Sequence, residues 1–282
     1  MKAIIFSLLG WMFLPVMDGF AKFLSDDLPI LQITWARYFF TVVFTLPIMI
    51  FFFNKQLVWS DKPKLQILRG LILLSANICF FYAISIISLA KALTLAFVAP
   101  LIVTAFSPVM LGEKVGFRRW TAVVVGFTGS LVVIRPGFVE LNFASLAALG
   151  TGILYGFYLI ITRKLSTSDN PLLTLLMTGM VGAILVSAII PFYWVKPSLN
   201  QWSLMAGIGV FACIGHLFLI LSLKYADASK LAPFSYFEII TNIIIGYYFF
   251  SDFPDNWTFI GLFIIVLSGI YISRRENLIK KS

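Results

Sequence analysis

KLAPFSYFEIITNIIIGYYFF, residues 230–250, is apolar and aromatic almost throughout, yet it carries a glutamate, Glu238, eight residues in from Lys230. Whether this stretch crosses a bilayer decides the fold. A charged side chain at a bilayer centre costs roughly 2.5–3.5 kcal/mol on insertion scales, so a spanning helix keeps one only where it faces protein, water or cargo. The rest of the chain favours the span. Of 282 residues, 60% are hydrophobic and 12% charged, and the mean hydropathy is +0.98. Soluble domains carry about 25% charged residues. The class is therefore an all-α integral membrane protein.

Nine further apolar runs are long enough to cross: 3–24, 29–51, 65–87, 91–111, 117–134, 143–162, 171–194, 201–223 and 256–273. Each is close to the 20 or so residues a spanning helix needs. Turn and charge clusters such as SDDLP, NKQLVWSDKPK, LGEKVGFRR, RKLSTSDNP and SDFPDN separate them. The first run opens MKAIIFSLLGWMFLPVM, with no A-x-A cleavage site behind it, and reads as a retained span. Ten spans put both termini on one side. With that side inside, sixteen Lys and Arg fall in inner loops, Arg69 among them, and four (Lys22, Lys91, Arg135 and Lys196) fall outside. That bias places both termini in the cytoplasm of a cell with the chain in its cytoplasmic (inner) membrane, and makes 276–282 a cytoplasmic tail. It also accounts for the net charge of +9 without a nucleic-acid partner.

Several chemistries are excluded. Cys79 and Cys213 lie in apolar runs with no CxxC spacing and read as helix thiols. The single histidine is too few for most metal or haem schemes. No GxxxxGK[ST] loop encodes ATP use. The expectation is a non-enzyme without cofactor or metal.

The chain repeats itself. Residues 77–113 and 216–252 run in parallel at an offset of 139: Asn77 meets His216, Lys91 meets Lys230, Phe97 meets Tyr236, and Glu113 meets Asp252. A looser match at offset 142 pairs Lys22 with Lys164 and Pro29 with Pro171. Two five-helix halves result, 1–136 and 143–275. An odd helix count inverts the second half, so the reading is two inverted five-helix repeats with a solute site near the midplane between them.

The segment 69–137 carries a small-residue helix, the run ALTLAF-x-x-P-L, the turn Gly112-Glu113 and a glycine-rich next span. In these it resembles the first repeat of the EamA family of the drug/metabolite transporter superfamily, and residues 223–256 resemble the matching second repeat. Through ADA-x-x-x-AP, Tyr236, Glu238 and the acidic-Phe-Pro turn, that second segment is most similar to members described as S-adenosylmethionine uptake transporters. The resemblance implies a transporter. It also favours a shared structural or gating role for the span-two arginine, Arg37.

The candidate site residues follow from depth and chemistry. Glu238 is read as a counter-charge for a cation or as a proton site. Tyr236 and Tyr82 offer aromatic faces for an ammonium or sulfonium group, at ~0.5–2 kcal/mol each. Asn77 and His216 are expected on opposite cavity walls, with interhelical hydrogen bonding as the plainer alternative. Arg37 needs a carboxylate or water, from a solute or from Glu238 or Asp18. Asp18 and Lys22, four apart, are expected to pair at the outer interface or to gate, and Trp11 lies two turns inward from Asp18. Glu113-Lys114 and Asp252 are expected at helix-end turns, and Pro15, Pro100, Pro108 and Pro233 at bends.

The function these residues suggest is a secondary transporter of a small polar organic solute, amino-acid-like or cationic, working by alternating access. S-adenosylmethionine is one candidate solute, and protons are a candidate coupling ion. The lipid bilayer is the other partner. The alternative is a lipid-linked carrier translocase or a non-transporting subunit of a membrane complex.

Overall fold

A computed structural model describes residues 2–52, 60–112, 117–134, 142–166, 168–231, 234–235 and 237–279. Among them all regular structure is helical: α1 (Lys2–Leu24), α2 (Ile30–Phe52), α3 (Pro63–Ile84), α4 (Leu89–Ala96), α5 (Ala99–Leu111), α6 (Phe117–Ile134), α7 (Phe143–Leu165), α8 (Pro171–Ile189), α9 (Leu199–Tyr225), α10 (Ala228–Leu231), α11 (Phe237–Phe250) and α12 (Asn256–Ile279). Among the described residues seven stretches are long and apolar enough to cross a membrane, with Leu89–Leu111 taken as one. Val124–Val133, Phe237–Phe250 and Asn256–Ser268 are shorter apolar helices. Tyr236, Pro233, Glu113, Lys114 and Arg135 lie outside the described residues.

Helix starts follow local chemistry. Asn142 and Asn170 cap α7 and α8 by accepting from the amides of Ala144 and Leu172, each at 2.8 Å. Pro171 supplies the first residue of α8, where its missing N–H costs nothing. Ser198 and Gln201 form a reciprocal capping box on α9.

Two expected spans are broken rather than bent. The run 91–111 divides into α4 and α5 around Phe97 and Val98, and Pro100 stands in the first turn of α5. Proline has no N–H to reach the carbonyl four residues back, so the Ala96 carbonyl is released. That carbonyl lies against Gly152 of α7, where a Cβ would collide with it. The run 230–250 divides likewise: α10 ends at Leu231 and α11 begins at Phe237. Glu238 therefore sits in the first turn of a half-helix, not two turns into a continuous span.

Small residues set the closest packing. α1 lies along α9 where Gly10 and Gly215 meet, and α6 along α12 where Gly129 and Gly261 meet. A Cβ on Gly261 would lie 2.6 Å from the Gly129 carbonyl. Such backbone approach is how helices associate where lipid removes the hydrophobic drive. α3 packs on α7, α2 on α8 and α9, α3 on α8, α4 and α5 on α7, α11 on α1, and α4 on α11. The outer surface carries exposed Phe51, Val109, Ile184, Phe192 and Phe249, which suits acyl chains and not water.

Candidate functional site

One stripe of α1 starts the site. Ser7, Trp11, Leu14 and Asp18 recur at helical spacing and face the same cavity. Asn77 of α3, Thr151 and Tyr155 of α7, His216 and Ser222 of α9, and Ser235 and Glu238 beside the α10–α11 break complete its polar lining. Leu93, Phe97 and Pro100 at the α4–α5 break and Phe80 of α3 are among its apolar walls. The space free of protein atoms is about 960 Å³, its open mouth included. Both helix breaks thus border one void, where irregular backbone is tolerated inside a membrane protein.

The two carboxyl groups are buried, Asp18 at 4% and Glu238 at 7% exposure. Glu238 benefits from its position, because the first turn of α11 presents unpaired amides and the positive end of the helix dipole. Among the described residues Asp18 Oδ1, Ser7 Oγ and Tyr155 Oη are buried without a hydrogen-bond partner. Trp11 and Tyr155 approach with ring centroids 6.2 Å apart.

Behind the cavity lies a second polar cluster. Arg37, 2% exposed, donates from Nη2 to His216 Nε2 at 2.7 Å. A guanidinium only donates, so His216 must accept at Nε2 and carry its proton on Nδ1. Nδ1–H then donates to Tyr158 Oη at 3.0 Å. Tyr158 Oη also receives Arg69 Nη2 at 2.7 Å. Arg69 is fully buried and donates as well to Thr162 Oγ1 at 2.7 Å, to the Thr174 carbonyl at 3.1 Å and to Thr178 Oγ1. Arg37 lines a small separate pocket, with His216 in the linings of both. The histidine is the partition between them.

Sequence positions and structural positions differ in four ways. Arg37 does not line the main cavity; its guanidinium stacks 4.6 Å from the Tyr38 ring centroid and grips His216. Tyr82 is 38% exposed and outside the cavity, because five residues beyond Asn77 on a helix is about 140° around the axis. Lys22 does not pair with Asp18. It meets Asp252 Oδ2 at 3.0 Å and donates to the carbonyls of Ile84 and Ile87 at 3.1 and 3.2 Å. Asp252 reaches it because Ser251 turns the chain with φ 53°, and the Asp252 amide bonds back to the Gly246 carbonyl. Arg69, counted as an inner-loop charge, is instead the hub between α3, α7 and α8. Trp11, Asp18, Asn77, His216 and Glu238 share the cavity, while Asn77 also donates to Tyr38 Oη at 3.0 Å. The free thiols Cys79 and Cys213 are half-buried. Among the described residues no cluster of His, Cys, Asp and Glu could hold a metal ion.

The model of the EamA-like transporter family matches residues 1–135 and 142–274. The chain is 27% identical to an S-adenosylmethionine uptake transporter of Rickettsia felis over 274 residues, 95% of this chain and 93% of that one. It is 25% identical to a riboflavin transporter of Vibrio cholerae, covering 95% and 90%, and 28% identical to a pseudopaline exporter of Pseudomonas aeruginosa, covering 93% and 92%. A solved crystal structure superposes over 96% of each chain with a TM-score of 0.73 at 15% identity, a likeness of fold alone.

Proposed function

The chain belongs to the EamA-like transporter family, as a multi-pass membrane protein and not an enzyme, and from that premise we propose that it carries a small, polar, cationic or amino-acid-like organic solute through the cytoplasmic membrane by alternating access. The observation that supports this reading is the cavity with two buried carboxyl groups beside two helix breaks. Buried acids inside a membrane are costly and are kept where they meet cargo or protons. The relatives' names cover both uptake and export of small metabolites, S-adenosylmethionine among them.

The architecture in this reading is ten spans in two inverted halves, 1–136 and 143–275. Exchange α1 with α7, α2 with α8, α3 with α9, α4–α5 with α10–α11, and α6 with α12. The pair α1–α9 becomes α7–α3, α2–α9 becomes α8–α3, α4–α11 becomes α10–α5, and α2–α8 and α6–α12 map onto themselves; every one of these contacts exists. Both broken spans also correspond. A scaffold of this kind has two rocked conformations of similar energy.

With both termini inside, the Lys22–Asp252 pair is an outer latch joining α1, the end of α3 and the end of α11. A half-exposed pair of this kind contributes about 1 kcal/mol, near a fivefold population shift. Lys22→Met with Asp252→Leu, in a Cys79→Ala, Cys213→Ala background, is expected to raise labelling of Met17→Cys by an external, membrane-impermeant maleimide several-fold. Unchanged labelling would remove the latch.

The function itself is tested by uptake of a radiolabelled panel of amino acids, amines and S-adenosylmethionine into proteoliposomes, with and without an imposed proton gradient. At least one solute is expected to accumulate well above empty vesicles. If the whole panel stays at background, the transport reading falls. If uptake occurs and ignores the gradient, proton coupling falls alone.

A further inference from the structure

We infer that Asp18, Tyr155, Ser7 and Trp11 form a second recognition subsite in the cavity, which together with Glu238 selects solutes of net positive charge over neutral zwitterions of the same shape. This rests on the transport reading for its cargo, but the argument concerns binding and not flux.

Three observations carry it. Asp18 Oδ1, Ser7 Oγ and Tyr155 Oη are buried and unpartnered, and all three residues line the one cavity. Ser7 is 1% exposed. A buried polar atom without a partner costs about 1–3 kcal/mol, so a solute that supplies donors here recovers that cost on binding. A cationic centre with N–H or polarised C–H groups supplies them to a carboxylate and two hydroxyl oxygens. Next, Trp11 and Tyr155 set two aromatic faces beside the carboxyl groups, 6.2 Å apart and tilted by 59°. Ring faces attract a sulfonium or ammonium and give nothing to a carboxylate.

The third observation is what is missing from the wall. Among the residues whose side chains are described, no lysine or arginine lines the cavity. Arg37, the one arginine of span two, is turned into the pocket behind His216 and held there at 2.7 Å. His216 shows the cavity a neutral ring, because accepting from Arg37 leaves Nε2 without a proton. Among the described side chains a solute carboxylate thus meets two acids and no cation. Where either acid is ionised, it repels a solute carboxylate strongly, because like charges in a site of low dielectric are poorly screened. A solute whose only charge is positive escapes this penalty, and one with two positive charges and a carboxylate still gains overall. A solute of zero net charge does not.

The test uses matched pairs on the purified full chain in nanodiscs, with binding read by equilibrium dialysis. Choline is set against glycine betaine, and S-adenosylmethionine against S-adenosylhomocysteine. In each pair the first member has one more net positive charge at similar size. The net-positive member is expected to bind at least tenfold more tightly in both pairs. Asp18→Asn is expected to remove most of that preference, and Asp18→Glu to retain it. If Asp18→Asn fails to fold, Tyr155→Phe replaces it, with a several-fold weaker binding of the cation expected. Equal binding within both pairs, tighter binding of the neutral members, no saturable binding of any of the four, or a preference untouched by the variants overturns the inference. Charge preference without uptake would retire transport and leave the subsite. Uptake with preference for the neutral members would do the reverse.

Discussion

Glu238→Gln is expected to abolish solute uptake, by at least about 100-fold, while the protein stays folded and in the membrane. The amide keeps the size and most of the hydrogen-bonding capacity of the acid. What it loses is the charge, and the ability to gain one. Glu238 faces the cavity and is only 7% exposed, so the amide removes a group whose ionised form burial penalises and adds no such cost. Stability should therefore hold or rise. Transport should not, because on the proposed mechanism a cationic solute then lacks the acidic group at the N-terminal end of α11. Uptake in proteoliposomes and the melting midpoint in detergent separate the two effects. Wild-type flux from the glutamine variant would take Glu238 out of the mechanism. Loss of flux together with loss of fold would make it a structural residue.

What could be seen in the sequence depended on the range of the interaction. Span positions come from runs of apolar residues, a local property, and the described helices fall on them within a few residues. Glu238, Asn77 and His216 stand out because each is polar deep in an apolar run, and all three line the cavity. The Ser7–Trp11–Asp18 stripe was available too, since its spacing marks one helix face. Serine is common in membrane helices, so its depth alone marks nothing. Partners far apart in the chain were not available. Lys22 has an acid four residues back, and a local rule pairs them. Asp252 wins because the turn at Ser251 delivers its carboxylate to the end of α1. Tyr82 looked like an aromatic wall until the register of α3 was known. The break at Phe97–Val98 needed a proline and a glycine on another helix to be understood together, Pro100 freeing the carbonyl that Gly152 accommodates.

Arg69 was the residue most easily misread, and it gives the second large effect. It stands six residues past Pro63, beside Lys62 and Lys64 in sequence, and so resembles a flanking inner charge. In the fold it is fully buried, and its three nitrogens reach two different helices besides its own: Thr162 and Tyr158 of α7, and Thr174 and Thr178 of α8. Its guanidinium also stands 4.5 Å from the centroid of the Tyr158 ring. Hydrogen bonds to charged groups contribute about 1.5–3 kcal/mol each before coupling is allowed for. Truncating a large buried side chain costs about 2–5 kcal/mol where the surroundings cannot collapse. Arg69→Ala is therefore expected to destabilise by roughly 3–5 kcal/mol, a large part of a typical total stability of 5–15 kcal/mol. A fall of many degrees in the melting midpoint and a loss of folded yield should follow. Arg69→Lys should rescue little, because one ammonium on a flexible stem cannot span the three-helix fork that the planar guanidinium fills. The same change reaches the cavity through Tyr158, which would lose a donor and loosen its hold on His216 Nδ1. Any Arg69→Lys protein that remains folded should thus bind solute more weakly, though residue 69 touches none. A melting midpoint for Arg69→Ala within a degree or two of the wild type would show that α3, α7 and α8 are held together by their apolar packing, with the buried arginine a passenger.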